Sequence, residues 1–160
     1  MIYSSPAGTI RKADLADVEE LAANLRPEDI REIASTTAAG YDLQAVLAFN
    51  VGISTAAFTI RDSEDRIMAL VGAAPAGDRT GSVWMHGTNR MARHPVAFAR
   101  HTPLVVNLLH SRYPVLRNWA DCRNAVHLKW LQWAGFRFLQ VSTTFSNDGT
   151  PFVEFFRKGT

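Results

Sequence analysis

Hydrophobic positions along the chain change period several times, and each change marks an element. Leu15, Val18, Leu21, Ala22 and Leu25 recur at helical spacing, with Asp14 placed to cap their helix. Before it, Thr9-Ile10-Arg11-Lys12-Ala13 reads as a short strand. Arg26-Pro27-Glu28-Asp29 breaks the helix, and Pro27 suits the first position of a second, shorter one over Glu28 to Ser35. A third helical pattern covers Asp42 to Asn50.

From Thr55 the period shortens. Ala57 to Arg61 is strand-like, Asp62 to Asp65 is a polar turn, and Ile67 to Ala73 is a nearly continuous apolar run, as expected of a strand buried on both faces. A turn over Pro75 to Gly81 leads to a strand at Ser82 to Gly87, which completes an antiparallel meander. Pro95 opens a long helix in which Pro103 predicts a kink or break. Val115 to Cys122 is the next strand, and Asn124 caps a helix that Gly135 ends. Phe136 to Phe145 and Phe152 to Arg157 are two final strands, joined through the turn-forming Asp148-Gly149. Helices and meanders mixed in this order predict an α+β fold, one domain over residues 1–160.

Composition narrows the function classes. The 160 residues are 47% hydrophobic and 20% charged, the balance of a globular protein with a real core. No apolar run approaches the ~20 residues of a membrane span, and the opening M-I-Y-S-S-P-A-G lacks a signal pattern, so a cytoplasmic protein without a membrane partner is expected. A single cysteine, Cys122, leaves no internal disulfide or thiolate cluster. The net charge of +2 comes from scattered arginines, dense only near Arg90, Arg93 and Arg100, which argues against a nucleic-acid partner. The histidines His86, His94, His101, His110 and His127 show no ligand spacing, so no metal is expected. Trp119, Trp130, Trp133, Phe136 and Phe138 read as core aromatics.

Two stretches carry a resemblance. T-I-R-K-A-D-L-A-D-V-E-E-L (Thr9 to Leu21) and N-A-V-H-L-K-W-L-Q-W-A-G-F (Asn124 to Phe136) resemble the first strand and helix and the late Gly-Phe helix of the GNAT superfamily of acetyltransferases. This implies a mixed central sheet with flanking helices. W-M-H-G-T (Trp84 to Thr88), R-H-P-V-A-F (Arg93 to Phe98), Y-P-V-L-R-N-W-A-D-C-R-N (Tyr113 to Asn124) and W-L-Q-W-A-G-F (Trp130 to Phe136) resemble a narrower family of small GNAT-like phage proteins. That family includes an internal virion protein of short-tailed coliphages.

The GNAT resemblance implies acetyl-CoA in a V-shaped gap lined by Trp84 to Thr88 and Trp119 to Asn124. The pyrophosphate loop would be Gly87 to Pro95, with Thr88, Asn89, Arg90 and Arg93 as its ligands and Asn124 at the far side. The usual glycine pair is missing there, which makes close backbone approach to phosphate harder. His86 is the first candidate base, since imidazole titrates near neutrality; Asp121 is the second. The family's frequent tyrosine, an acid for the departing thiolate, falls on Leu131. Two functions follow: N-acetyl transfer to an amine acceptor in the host cytoplasm, or a non-catalytic role through contacts with other phage proteins, associated with the virion.

Overall fold

The computed structural model describes all residues from Met1 to Thr160. The chain opens with a hairpin, β1 (Tyr3–Ser5) against β2 (Gly8–Lys12). Gly8 has φ +143°, and a Cβ there would lie 2.1 Å from the Arg61 carbonyl oxygen, so this approach of two backbones requires glycine. Helices α1 (Leu15–Asn24), α2 (Pro27–Thr36) and α3 (Leu43–Ile53) follow. Asp14 caps α1 in a reciprocal box with Asp17, Pro27 opens α2, and Asp42 caps α3.

Strands β3 (Ala56–Asp62), β4 (Ile67–Pro75) and β5 (Thr80–Gly87) form the meander. A short α4 (Arg90–Arg93) and the long α5 (Pro95–His110) then cross to β6 (Val115–Asp121). Helix α6 (Ala125–Trp133) and the hairpin β7 (Arg137–Ser142) and β8 (Phe152–Lys158) complete the chain. The eight strands make one mixed sheet in the order β1-β2-β3-β4-β5-β6-β8-β7. Every neighbouring pair is antiparallel except β5–β6, which is parallel.

Both faces of the sheet are covered, which explains the unbroken apolar run of β4. Leu70 packs with Val18, Leu21 and Leu47 of α1 and α3, while Val71 packs with Val105, Val106 and Leu109 of α5. Of the kink or break expected at Pro103, the break does not occur: α5 is continuous through it. A proline removes one intrahelical bond, and the apolar face of Phe98, Val105, Val106 and Leu109 on the sheet outweighs that loss. Strand β1 and the four-residue α4 are too short for any periodicity to announce them. Strand β7 ends at Ser142, three residues early, because the chain leaves the sheet there to reach α2.

Candidate functional site

The single parallel pairing positions the site. Ladder pairing between β5 and β6 covers only Thr80–Ser82 opposite Val115–Arg117, after which the strands splay. Asn118 spans the first step, donating from Nδ2 to the Val83 carbonyl at 2.8 Å. Beyond that step, strand main-chain groups face the gap without a strand partner, and buried N–H groups need acceptors.

Helix α2 supplies them. Asp29 Oδ2 accepts from Gly87 N at 2.8 Å on β5, and Glu32 Oε1 accepts from Asp121 N at 3.2 Å on β6. Arg26 N donates to the Gly87 carbonyl at 3.0 Å. The Arg26 guanidinium grips Asp29 at 2.9 and 3.2 Å and also reaches Asn124 Oδ1 at 3.2 Å. Asn124 Nδ2 donates to Asp29 Oδ1 at 2.8 Å and to Glu32 Oε2 at 2.9 Å. Arg26, Asp29 and Asn124 are at most 3% exposed. The upper end of the gap is therefore filled by a paired, hydrogen-bonded plug.

The titrations of this cluster follow from pairing. Burial pushes Asp29 up, but the bonds and charge of Arg26 outweigh it, and its carboxyl lies below the ordinary range. Burial raises Glu32 and lowers His127; the contact between them, 3.4 Å from His127 Nδ1 to Glu32 Oε2, reverses both, so Glu32 sits low and His127 high. His86 behaves differently. Burial lowers it, and the Asp29 and Glu32 charges do not restore it.

The loop after β5 is also internally satisfied. Thr88 is buried, with N bonded to the Met68 carbonyl at 3.0 Å and Oγ1 to the Ile67 carbonyl at 2.8 Å. The amides of Met91, Ala92, Arg93 and His94 all donate to carbonyls of residues 88–90, and Arg90 N donates to Thr88 Oγ1 at 3.2 Å. Arg90 is held by Asp62 through Nε and by Glu64 through Nη2 at 2.8 Å. Asn89 is exposed, and Arg93 lines a shallow polar hollow of about 230 Å³ with Arg66, Arg90 and Glu20. Two carboxylates thus stand where a pyrophosphate would need only positive charge.

Of the two candidate bases, the structure places only His86 on a cavity. Asp121 is fully buried and chelated by its neighbour: Arg123 Nε lies 3.0 and 3.2 Å from its two oxygens, and Arg123 Nη2 lies 2.7 Å from Oδ2. Leu131 is a core residue, 1% exposed. Asn124 stands at the gap but as the α6 cap, with its amide committed to Arg26, Asp29 and Glu32. Arg26, Asp29, Glu32 and His127 were not legible as site residues. The signal was there in the i, i+3 spacing of Arg26, Asp29 and Glu32, which puts all three on the buried side of α2 while Ile30 is 37% exposed.

Below the plug, on the side of α2 and α3, lies a cavity of about 580 Å³. Its walls carry two aromatic pairs: Trp84 with His86 (centroids 5.6 Å apart) and Trp119 with Phe145 (5.1 Å). Trp84 lies directly on Gly72, where a Cβ would come within 2.5 Å of its ring, and its indole N–H donates to Ser54 Oγ at 2.8 Å. Phe49 and Ile53 of α3 stand at the mouth, 63% and 47% exposed.

Backbone comparison with solved structures identifies this architecture. The ribosomal-protein-S5-alanine acetyltransferase of Vibrio fischeri superposes with a TM-score of 0.69 over 98% of this chain and 95% of that one, at 12% identity. A GNAT-family acetyltransferase of Bacillus anthracis gives 0.65 over 99% and 98%, also at 12% identity. One from Streptococcus pneumoniae gives 0.64 over 96% and 99%, at 12% identity. The chain has the GNAT fold. No family model matches the sequence, and no curated protein matches it by sequence.

Acetyl-CoA is expected in the gap between these splayed strands, and several of the groups facing that gap are already paired. The Gly87 and Asp121 amides that face the gap already have side-chain acceptors, and Arg26 and Asn124 occupy the space between the strands. The amides of residues 90–94 are bonded within the loop and Arg90 is paired with Asp62, while the Arg93 guanidinium and the first α5 amides, Val96 and Ala97, have no protein acceptor.

Proposed function

We propose that this GNAT-fold protein has closed its coenzyme gap with its own side chains and acts by binding rather than by acyl transfer. The observation that carries this reading is the capping of both splayed strands from α2, Asp29 on Gly87 N and Glu32 on Asp121 N. An arm of coenzyme entering there would have to displace a buried ion pair, and leaving one partner unpaired costs about 3–5 kcal/mol. The phage-like strings of the second half support a role among other phage proteins, in the host cytoplasm or the virion.

Thermal unfolding with acetyl-CoA is the direct test. Ligand at a hundred times its dissociation constant stabilises a fold by ~2.7 kcal/mol, readily seen in a melt. The expected result is an unmoved melting curve with millimolar acetyl-CoA at low ionic strength. A rise in Tm that disappears in Arg90→Ala/Arg93→Ala would instead support the transferase reading, with those arginines as phosphate ligands. His86 is the observation on that side, an imidazole lining the cavity next to the gap whose pKa burial pushes down.

A further inference from the structure

The 580 Å³ cavity offers a ligand little free charge. No Lys or Arg lines it. Glu32 at its inner end already accepts from Asp121 N, Asn124 Nδ2 and His127 Nδ1. Asp42, the other lining carboxylate, sits exposed at the rim and caps α3. An anion entering would meet two carboxylates and only one cationic group, His127, which is already paired with Glu32. A cation would find the deep carboxylate already neutralised. Burying a charge without a partner is costly, so the lining selects against both.

It does offer aromatic faces, and His86 is the lining imidazole with both ring nitrogens open; the Trp119 Nε1 and His127 Nε2 groups are also without a protein partner. Of the ring and amide groups on the strand wall, Trp84 Nε1 is held by Ser54, and both ends of the Asn118 amide are taken, by Val83 O and Trp119 N. The half-buried His86 ring, stacked on Trp84, has no protein partner. Burial favours its neutral form, which carries one donor and one acceptor nitrogen. The cavity volume lies within the few-hundred-Å³ range that small-molecule sites use, ~300–1,000 Å³.

We infer that this cavity binds a small uncharged aromatic molecule bearing one hydrogen-bonding group, a phenol or an indole, with its ring against Trp84 and Trp119 and its polar atom on His86. The inference rests on the closed gap, which makes the cavity a blind pocket and not a passage for a coenzyme arm. It assigns the chain a small-molecule site that needs no second substrate.

Titration of para-cresol into isotope-labelled full-length protein tests it, read by the indole N–H resonances. Saturable shifts are expected at Trp84 and Trp119, with Trp133 at the exposed end of α6 unmoved. Toluene, which lacks the hydroxyl, should bind about tenfold more weakly, since the imidazole then loses its partner on burial. Benzylammonium and benzoate should each be weaker than para-cresol by at least about tenfold. His86→Phe should erase the preference for para-cresol over toluene; should that variant misfold, the wild-type ligand series decides alone. Benzylammonium binding as tightly as para-cresol overturns the inference, as does the absence of saturable shifts at millimolar para-cresol. Acetyl-CoA binding is scored separately in the melt, so failure of the closed gap and failure of the ligand class give different results.

Discussion

His86 and His127 lie close enough to share the fields of Asp29 and Glu32, yet they titrate in opposite directions. Both are desolvated; only His127 has a carboxylate in contact, and that contact decides its sign. The consequence for stability follows from linkage. His127 has a folded pKa above its ordinary 6.5, so its contribution is complete below that value and is lost as pH rises through the folded pKa. His86 has a folded pKa below 6.5, so stability that is undiminished above 6.5 is lost as pH falls from there toward the folded pKa, a window on the acid side of the one His127 sets. Denaturant melts across pH 5 to 9 (roughly the histidine range) should therefore show His127→Gln flattening the alkaline side of the profile. A His127→Gln profile that keeps the wild-type alkaline decline would mean that the Glu32 contact does not hold the imidazolium. None of this is readable from the sequence, where a lone strand histidine and a helix histidine look alike. Burial and one contact separate them.

Elements were far more legible than residues. The first helix, its Asp14 cap, Pro27 as a helix start, the buried strand at Ile67 and the Asn124-to-Gly135 helix are all local signals, fixed by capping, ring geometry or period. Missing were elements without a period, β1 and α4, and the outcome at Pro103, which tertiary packing decides. The end of α6 gives a sharp test of a local signal. Gly135 has φ +86°, and its amide donates to Gln132 O while Phe136 N reaches Leu131 O at 2.9 Å, so the chain turns out of the helix there. Phe136, 5% exposed, is thereby driven into the aromatic core against Trp130 and Phe155. A Cβ at Gly135 would meet only the Arg157 side chain, 3.1 Å away, which can move. The cost of Gly135→Val is therefore backbone strain, at least ~1 kcal/mol. A urea midpoint equal to wild type would place the strain elsewhere.

At the scale of the whole molecule, the cavity exists because segments far apart in sequence are fastened across the open end of the sheet, and no local pattern announces such fastenings. The plug joins Arg26 to Asn124, and a second clasp joins α2 to the β7–β8 loop. In that clasp, Asn147 N donates to the Ser35 carbonyl at 2.7 Å. Ser35 Oγ donates to Asp148 Oδ2 at 3.1 Å and accepts from Arg123 Nη2 at 3.0 Å. Bonds from Thr150, with smaller ones from Ser35 and Ser146, hold the Asp148 carboxyl down at about 2, so it is ionised near neutral pH. The clasp brings Phe145 onto Trp119 and Phe152 and so builds one wall of the cavity. Ser35 is 2% exposed, and its hydroxyl is the joint between the loop, α2 and Arg123, the second residue after β6. Ser35→Ala removes two side-chain bonds but spares the Asn147 backbone bond. The expected loss is about 1–2 kcal/mol in global stability. Local opening should rise further, because a loop tethered by one bond opens without unfolding the core. Native-state hydrogen exchange reads this directly. The Asn147 amide should lose protection by at least about tenfold, while core amides of β4 follow only the global change. Equal loss at Asn147 and in β4 would show that the loop opens only with the whole molecule, and that the clasp is not what holds the cavity wall.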